Sequence, residues 1–449
     1  MRMFNEVCLK FEKADWSLNP EFGLIDTILE THPQLYDIVA SDILQSKKAS
    51  LMGRGDVPSV EQIVRAAIYK ELKGYDYREL EYAQSDSRIC STFIKLDNRK
   101  PFSFQMFQKY ISRITSETLT KLLIELNKIS IGEGLEDIKS LRVDSTVVKS
   151  NIHYPTNNSL VWDCIKESHR LLTKLSEETQ DLEFRDYRKS AKANYYKINV
   201  IKSKDKRIKL FEKQLVTFTK SINQVDQVLR NPKKKSCNIA AICIKTNLEA
   251  HLSVMRQVFS VAKRREILGE SVPNAEKIFS IYEPHTDIIV KGGREVQFGH
   301  KINIAGGRSN LILDCEVLDG NPSDSKLYIP TLKRVIENYE IIPRDVSTDG
   351  GYASLDNKEG AEEKGITNIV FNKVVGSLQN KTSSKKMENR LKKWRSGIEA
   401  VISNYKRSFD MFVCTWKGKA HFKAKVLWSA IAYNIRVMTR LVISKIALL

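Results

Sequence analysis

Three acidic side chains stand where their chemistry could combine. Asp144 lies in LRVDSTVV, where Val143, Val147 and Val148 give the texture of a buried strand. A carboxylate buried there without a partner is costly, and Asp is depleted from strands. Asp349 ends a short strand in RDVSTDGGYAS, directly before Gly350 and Gly351. Strand ends of this kind are where α/β sheets place reactive groups, although Asp-Gly is also a common turn dipeptide. Glu399 sits in WRSGIEAVISNYK, with Arg395 four residues before it and Lys406 seven after it. On one helix these three share a narrow face. Singly, each acid has an ordinary reading: a strand cap, a turn, an i,i+4 ion pair. Together, two strand-borne Asp and one helix-borne Glu converging at one sheet edge make a set of hard oxygen ligands. Such a set suits Mg²⁺ or Mn²⁺ rather than zinc. A pair of these ions roughly 4 Å apart activates a water or 3′-hydroxyl and stabilises the leaving oxygen of a phosphodiester.

The elements that must position these acids follow from pattern. Residues 22–130 read as helices: PSVEQIVRAAIYKELKG has a capped start at Ser59 and a stop at Gly74, and a second start falls at Ser103. Short helices joined by tight turns fit a helix-turn-helix or a dimerisation bundle equally. After the strand at 141–148, a Lys-rich stretch from about 160 to 268 has no Gly until Gly269 and reads as helical hairpins. From 277 the texture turns to strands, punctuated by Gly292-Gly293 and Gly306-Gly307 as hairpin turns. Helices and strands then alternate, a helix is expected over 389–408, and a last one over 418–446. The sum is an α/β chain: a mixed sheet flanked by helices, an all-helical domain at 1–138, a first catalytic segment at 139–154, a basic helical insertion at 155–275 and the remainder at 276–449.

Composition narrows the partners. Lys and Arg number 73 against 54 Asp and Glu, and the excess is localised. Residues 1–140 are near neutral, residues 185–235 hold 16 basic and 4 acidic side chains, and residues 373–449 hold 17 and 3. Concentration of this kind marks contact with a polyanion, and nucleic acid is the commonest. No apolar run approaches a membrane span, and the N-terminus has no leader-like apolar core. The 7 cysteines are scattered without a C-x-x-C pair, which fits a reducing cytoplasm. GGRSN lacks the P-loop pattern, so no nucleotide cofactor is expected, and there is no G-x-S-x-G elbow or H-E-x-x-H helix.

Asp144 in LRVDSTVV, Asp349 in STDGGYAS, and Arg395, Glu399 and Lys406 in R-x₃-E-x₆-K resemble the Asp-Asp-Glu transposases of bacterial insertion sequences. More narrowly they resemble the group with a Tyr-Arg-Glu-Lys signature around its catalytic Glu; here the signature's Tyr falls on Lys392. PSVEQIVRAAIYKELKGYDYRELE, VKGGREVQFGHKINIA and WKGKAHFKAKVLWSAIAYNIRVMTRL extend the likeness along the chain. The resemblance implies an RNase H-like five-stranded catalytic sheet and Mg²⁺ dependence. It also implies cutting and joining of double-stranded DNA at terminal inverted repeats and target, with at least a homodimer in the DNA complex, in the nucleoid of the cytoplasm. Asp144, Asp349 and Glu399 would ligate the ions. Arg395, Lys406 and Lys392 would contact phosphates, and Trp394 would stack on a base or serve the core. Of Glu283, His285 and Asp287, whose alternating spacing could add a ligand, two read as exposed loop residues; His300 and Lys301 could border the site but read rather as strand surface. Charge reversal at Lys233, Lys234 and Lys235 that left end binding unchanged would count against a DNA role for the insertion. Two rival readings are a non-catalytic DNA-binding regulator and a nuclease that cuts without joining.

Overall fold

The computed structural model describes residues 16–17, 19–45, 57–96, 99–179, 182–230, 238–291, 295–374 and 376–446. Gly292, Gly293 and Lys233 to Lys235 lie outside the described residues. The chain divides into two compact units, one formed by Met1–Asn151 with Lys291–Leu449 and the other by Ile152–Val290.

The strands are β1 (Ser140–Ser150), β2 (Asp287–Lys291), β3 (Glu295–Gly306), β4 (Ile312–Val317), β5 (Asp345–Asp349), β6 (Asn368–Asn372) and β7 (Val413–Cys414). They make a mixed sheet of seven strands rather than five. The two-residue β7 pairs with the end of β1 and is too short to show a period in sequence. At the centre, β1 runs antiparallel to β3 and parallel to β5, and β5 runs parallel to β6. β1 does not fray at Asp144, which pairs in register with Ile304 of β3. Its valines 143, 147 and 148 are buried and hold the strand. The Gly306-Gly307 turn is present, with Gly307 N–H donating to the Leu311 carbonyl at 3.1 Å before β4 begins.

The N-terminal helices share one core with the sheet, and the helix Lys419–Ile446 runs through it. That helix is long and apolar enough to pass a membrane-span test, contrary to the sequence reading. Yet 67% of its apolar window is buried inside the protein, as befits a core helix. The helix Val60–Lys73 starts in a full capping box at Ser59 and stops at Gly74 with φ 70°, as its sequence predicts. Its Glu71 is buried against Lys70, at 3.2 Å, and against Lys425 of Lys419–Ile446. Burial alone would raise the Glu71 carboxyl, but the two lysines overcome it and hold the group at about 2 instead of 4.5. A depressed folded-state value stabilises above the unfolded value and is lost as pH falls toward the folded one. Glu71→Gln is therefore expected to cost about 3 kcal/mol at neutral pH, because two buried ammonium groups lose their counter-ion. Urea unfolding should show the gap between wild type and variant closing between pH 4.5 and about 2. A gap constant across that window would refute the pairing.

The second unit is helical over Asn157–Thr179, Arg188–Val200, Lys204–Arg230 and Ile239–Glu266, around its own core with Phe211, Phe218 and Leu248. Lys202, Lys204, Lys206 and Lys209 are exposed on it.

Candidate active site

Asp144 projects from β1, the central strand, with its Oδ1 accepting the Ser145 N–H at 2.8 Å. Asp349 is the last residue of β5. It precedes the 3₁₀ turn Gly350–Tyr352 yet makes no side-chain cap bond, so its carboxylate is not consumed by the turn. The turn is pinned from behind: the buried Tyr352 hydroxyl donates to Asn303 Oδ1 at 2.7 Å, and Asn357 Nδ2 donates to the Tyr352 carbonyl at 2.8 Å. Gly350 is required here, since a Cβ would fall 2.5 Å from the Lys373 carbonyl beyond β6.

The expected single helix over 389–408 is two, Lys385–Arg395 and Gly397–Ser408. The break has a physical cause outside the segment. Arg142 of β1 donates from Nη1 to the Trp394 carbonyl at 3.0 Å, where a continuous helix would pass. A Cβ on Gly397 would lie 2.0 Å from that same nitrogen. The first helix is anchored to β5 through Ser347 Oγ, which donates to the Leu391 carbonyl at 3.1 Å. Arg395, its last residue, thereby reaches Asp144 inside β1 and Asp349 at the end of β5.

The three acids meet on Arg395. Its Nη2 lies 2.9 Å from Asp144 Oδ2 and 3.6 Å from Asp349 Oδ2, and its Nη1 lies 2.7 Å from Glu399 Oε1. The Arg395 side chain is only 7% exposed, and its Nε has no hydrogen-bond partner. Arg395 thus stands among the three acids. The i,i+4 pair with Glu399 exists, but it is one arm of a three-way junction.

A fourth acid was missed in the sequence. Asp324 accepts from Ser145 Oγ at 2.9 Å and pairs with Lys301 Nζ at 2.8 Å, beside Gly351. The DSK segment carries no strand or glycine signal, so nothing local marks it. Lys301 is accordingly buried rather than on the strand surface, as is His300, whose ring meets Phe422 edge-on at 4.8 Å. In the second unit Glu283 and His285 pair at 2.7 Å, and Glu283 is buried, not an exposed loop residue. Lys392 pairs with Glu388 at 2.6 Å, and Lys406 lies over the Phe412 ring at 5.7 Å. One face of Trp394 is covered by the Arg142 guanidinium at 4.8 Å.

The donor chemistry fits a hard divalent cation, since three carboxylates from separate elements already converge on a positive charge. With Arg395 between them, no cluster of three or more His, Cys, Asp or Glu among the described residues is closed tightly enough to hold an ion.

The three acids thus come from the interior of β1, the end of β5 and the first turn of a helix. Residues 286–435, about a third of the chain, match the family model described as the transposase DDE domain. The match takes in Asp349 and Glu399 but begins well after Asp144, which only the pairing of β1 with β3 and β5 brings to them. No curated protein and no solved structure matches the chain.

Proposed function

We propose that the protein is a DNA transposase, cleaving phosphodiester bonds at the inverted-repeat ends of a mobile element and joining those ends to target DNA. The observation that carries this is the convergence of Asp144, Asp349 and Glu399, from two strands and a helix, on one buried guanidinium. The order β4-β3-β1-β5-β6 within the sheet supports an RNase H-like reading. Divalent ions held by the three acids would activate the attacking oxygen and stabilise the leaving one. Asp144 is the rigid member, fixed by β1 and the Ser145 N–H; Asp349 is held at its strand end by the Tyr352 anchor. Glu399, 63% exposed in the first turn of its helix, is the member free to adjust. Lys392 and Lys406 are assigned to phosphate contact and Trp394 to packing under Arg142. Two DNA ends call for at least two copies of the chain.

The test is an in vitro reaction with Mg²⁺ or Mn²⁺ on a plasmid carrying the coding sequence with its flanking DNA. Metal-dependent breaks at terminal repeats together with joined products support the reading. Breaks without joining indicate a nuclease, and binding without breaks a regulator; either outcome overturns it. The exposed lysines 202, 204 and 206 of the second unit are proposed to add DNA affinity. Their reversal to Glu should flatten the salt dependence of duplex binding, each phosphate contact contributing about 0.9 to the slope. An unchanged slope would remove the second unit from DNA binding.

A further inference from the structure

Beside Asp349 opens a cavity of about 1020 Å³. Its walls are the two loops that follow β5 and β6: Asp349, Gly350, Gly351, Ser354 and Leu355 on one side, Lys373, Ser377 and Gln379 on the other, with Lys358 reaching in. Both loops leave the carboxyl ends of neighbouring parallel strands, the position at which α/β sheets receive ligands. Asp349 is the one acidic residue among the lining residues, and it belongs to the metal-binding acids proposed above. Lys358 and Lys373 also line the cavity, and no ion pair engages either of them among the described residues. The ligand this charge pattern fits is therefore anionic and continuous with the reacting centre.

The remaining lining narrows the ligand further. Gly350 and Gly351 expose main chain and let a backbone approach closely; Ser354, Ser377 and Gln379 offer hydrogen bonds to sugar and phosphate oxygens. Leu355 is 58% exposed at the cavity wall, an apolar surface on which an unpaired base can rest. A duplex presents its bases inward and is far too wide for a space of this volume, whereas a few nucleotides of one strand fit it. We propose that this cavity binds single-stranded DNA adjoining the cleaved bond, with Lys358 and Lys373 as its phosphate contacts. The site rests on the transposase reading for its place beside Asp349. What it adds is a strand-selective pocket outside the three acids.

The experiment compares wild type with the double variant Lys358→Glu, Lys373→Glu by fluorescence anisotropy, using a labelled 20-nucleotide oligothymidine (about that length suffices for the loops) and a mixed-sequence duplex of equal length. Thermal unfolding should be unchanged, since neither lysine supports the fold through an ion pair. Affinity for the single strand is expected to fall about tenfold or more at 0.1 M salt, and its salt slope to shrink by about 1.4, with duplex binding altered less than about twofold. Equal losses on both probes, or none on the single strand, would overturn the pocket. A wild-type protein that binds single strands through these lysines yet makes no metal-dependent breaks leaves the pocket standing and removes the transposase reading instead.

Discussion

Asp349→Asn is expected to abolish metal-dependent DNA cleavage while leaving duplex affinity within about twofold. The substitution keeps the shape of the side chain and removes one negative charge from the acid set. Loss of even an outer partner of a metal ligand typically costs 10–100-fold in metal affinity or activity, so loss of a ligand itself should cost at least about a hundredfold. Asp144→Asn should be equally inactive but differ in stability, and that difference is specific to this geometry. Asp144 is 18% exposed and 2.9 Å from Arg395, whereas Asp349 is 45% exposed and 3.6 Å away. Removing the closer, drier charge should cost about 2 kcal/mol, as for a hydrogen bond to a charged group. Removing the wetter one should cost about 0.5 kcal/mol or less. Urea denaturation of the two variants beside a single-turnover cleavage assay reads both effects. Wild-type cutting by Asp349→Asn, or a reversed stability order, would break the assignment.

The elements that carry the three acids are legible in the sequence because each acid sits in a local context that sets its element. The valines around Asp144 make a strand, Gly350 and Gly351 end one after Asp349, and the apolar spacing around Glu399 makes a helix. What the sequence hid is non-local. The helix break at Ser396 and Gly397 is imposed by Arg142, which arrives from β1 and has no signature in the segment it interrupts. The pairing of Arg395 with all three acids is hidden for the same reason. An i,i+4 Arg-Glu pair looks complete on its own helix, and only the sheet brings Asp144 and Asp349 to the same guanidinium. Asp324 and Lys301 were invisible as a pair because 22 intervening residues separate them and neither interrupts an element. The amphipathic N-terminal helices announced a buried face but not its partner, which is the common core with the sheet and the last helix.

Arg395→Met is expected to destabilise the metal-free protein and to strengthen its binding of Mn²⁺. The guanidinium is the one cation the three carboxylates share, and it stands where their oxygens converge. Without it, the like-charged Asp144 inside β1 and Asp349 at the end of β5 lose the guanidinium between them, at a cost of about 2 kcal/mol after discounting the exposed Asp349 and Glu399. An added divalent cation then reaches the acids without displacing the guanidinium that pairs with all three. Because a ligand stabilises the native state in proportion to ln(1 + [L]/Kd), the variant should gain more in melting temperature from Mn²⁺ than wild type does. Calorimetric titration of the DNA-free protein gives the affinity directly, without any dependence on cleavage. Among the described residues the Nε of Arg395 has no hydrogen-bond partner, and its two terminal nitrogens make the bonds to Glu399 and Asp144. Glu399→Gln serves as the control: that carboxylate is 63% exposed, so the loss of its pair should leave metal-free stability almost unmoved. If Arg395→Met is as stable as wild type and binds Mn²⁺ no tighter, the guanidinium is not the counter-ion of the site. The acids must then be held apart by the backbone of β1 and β5 alone.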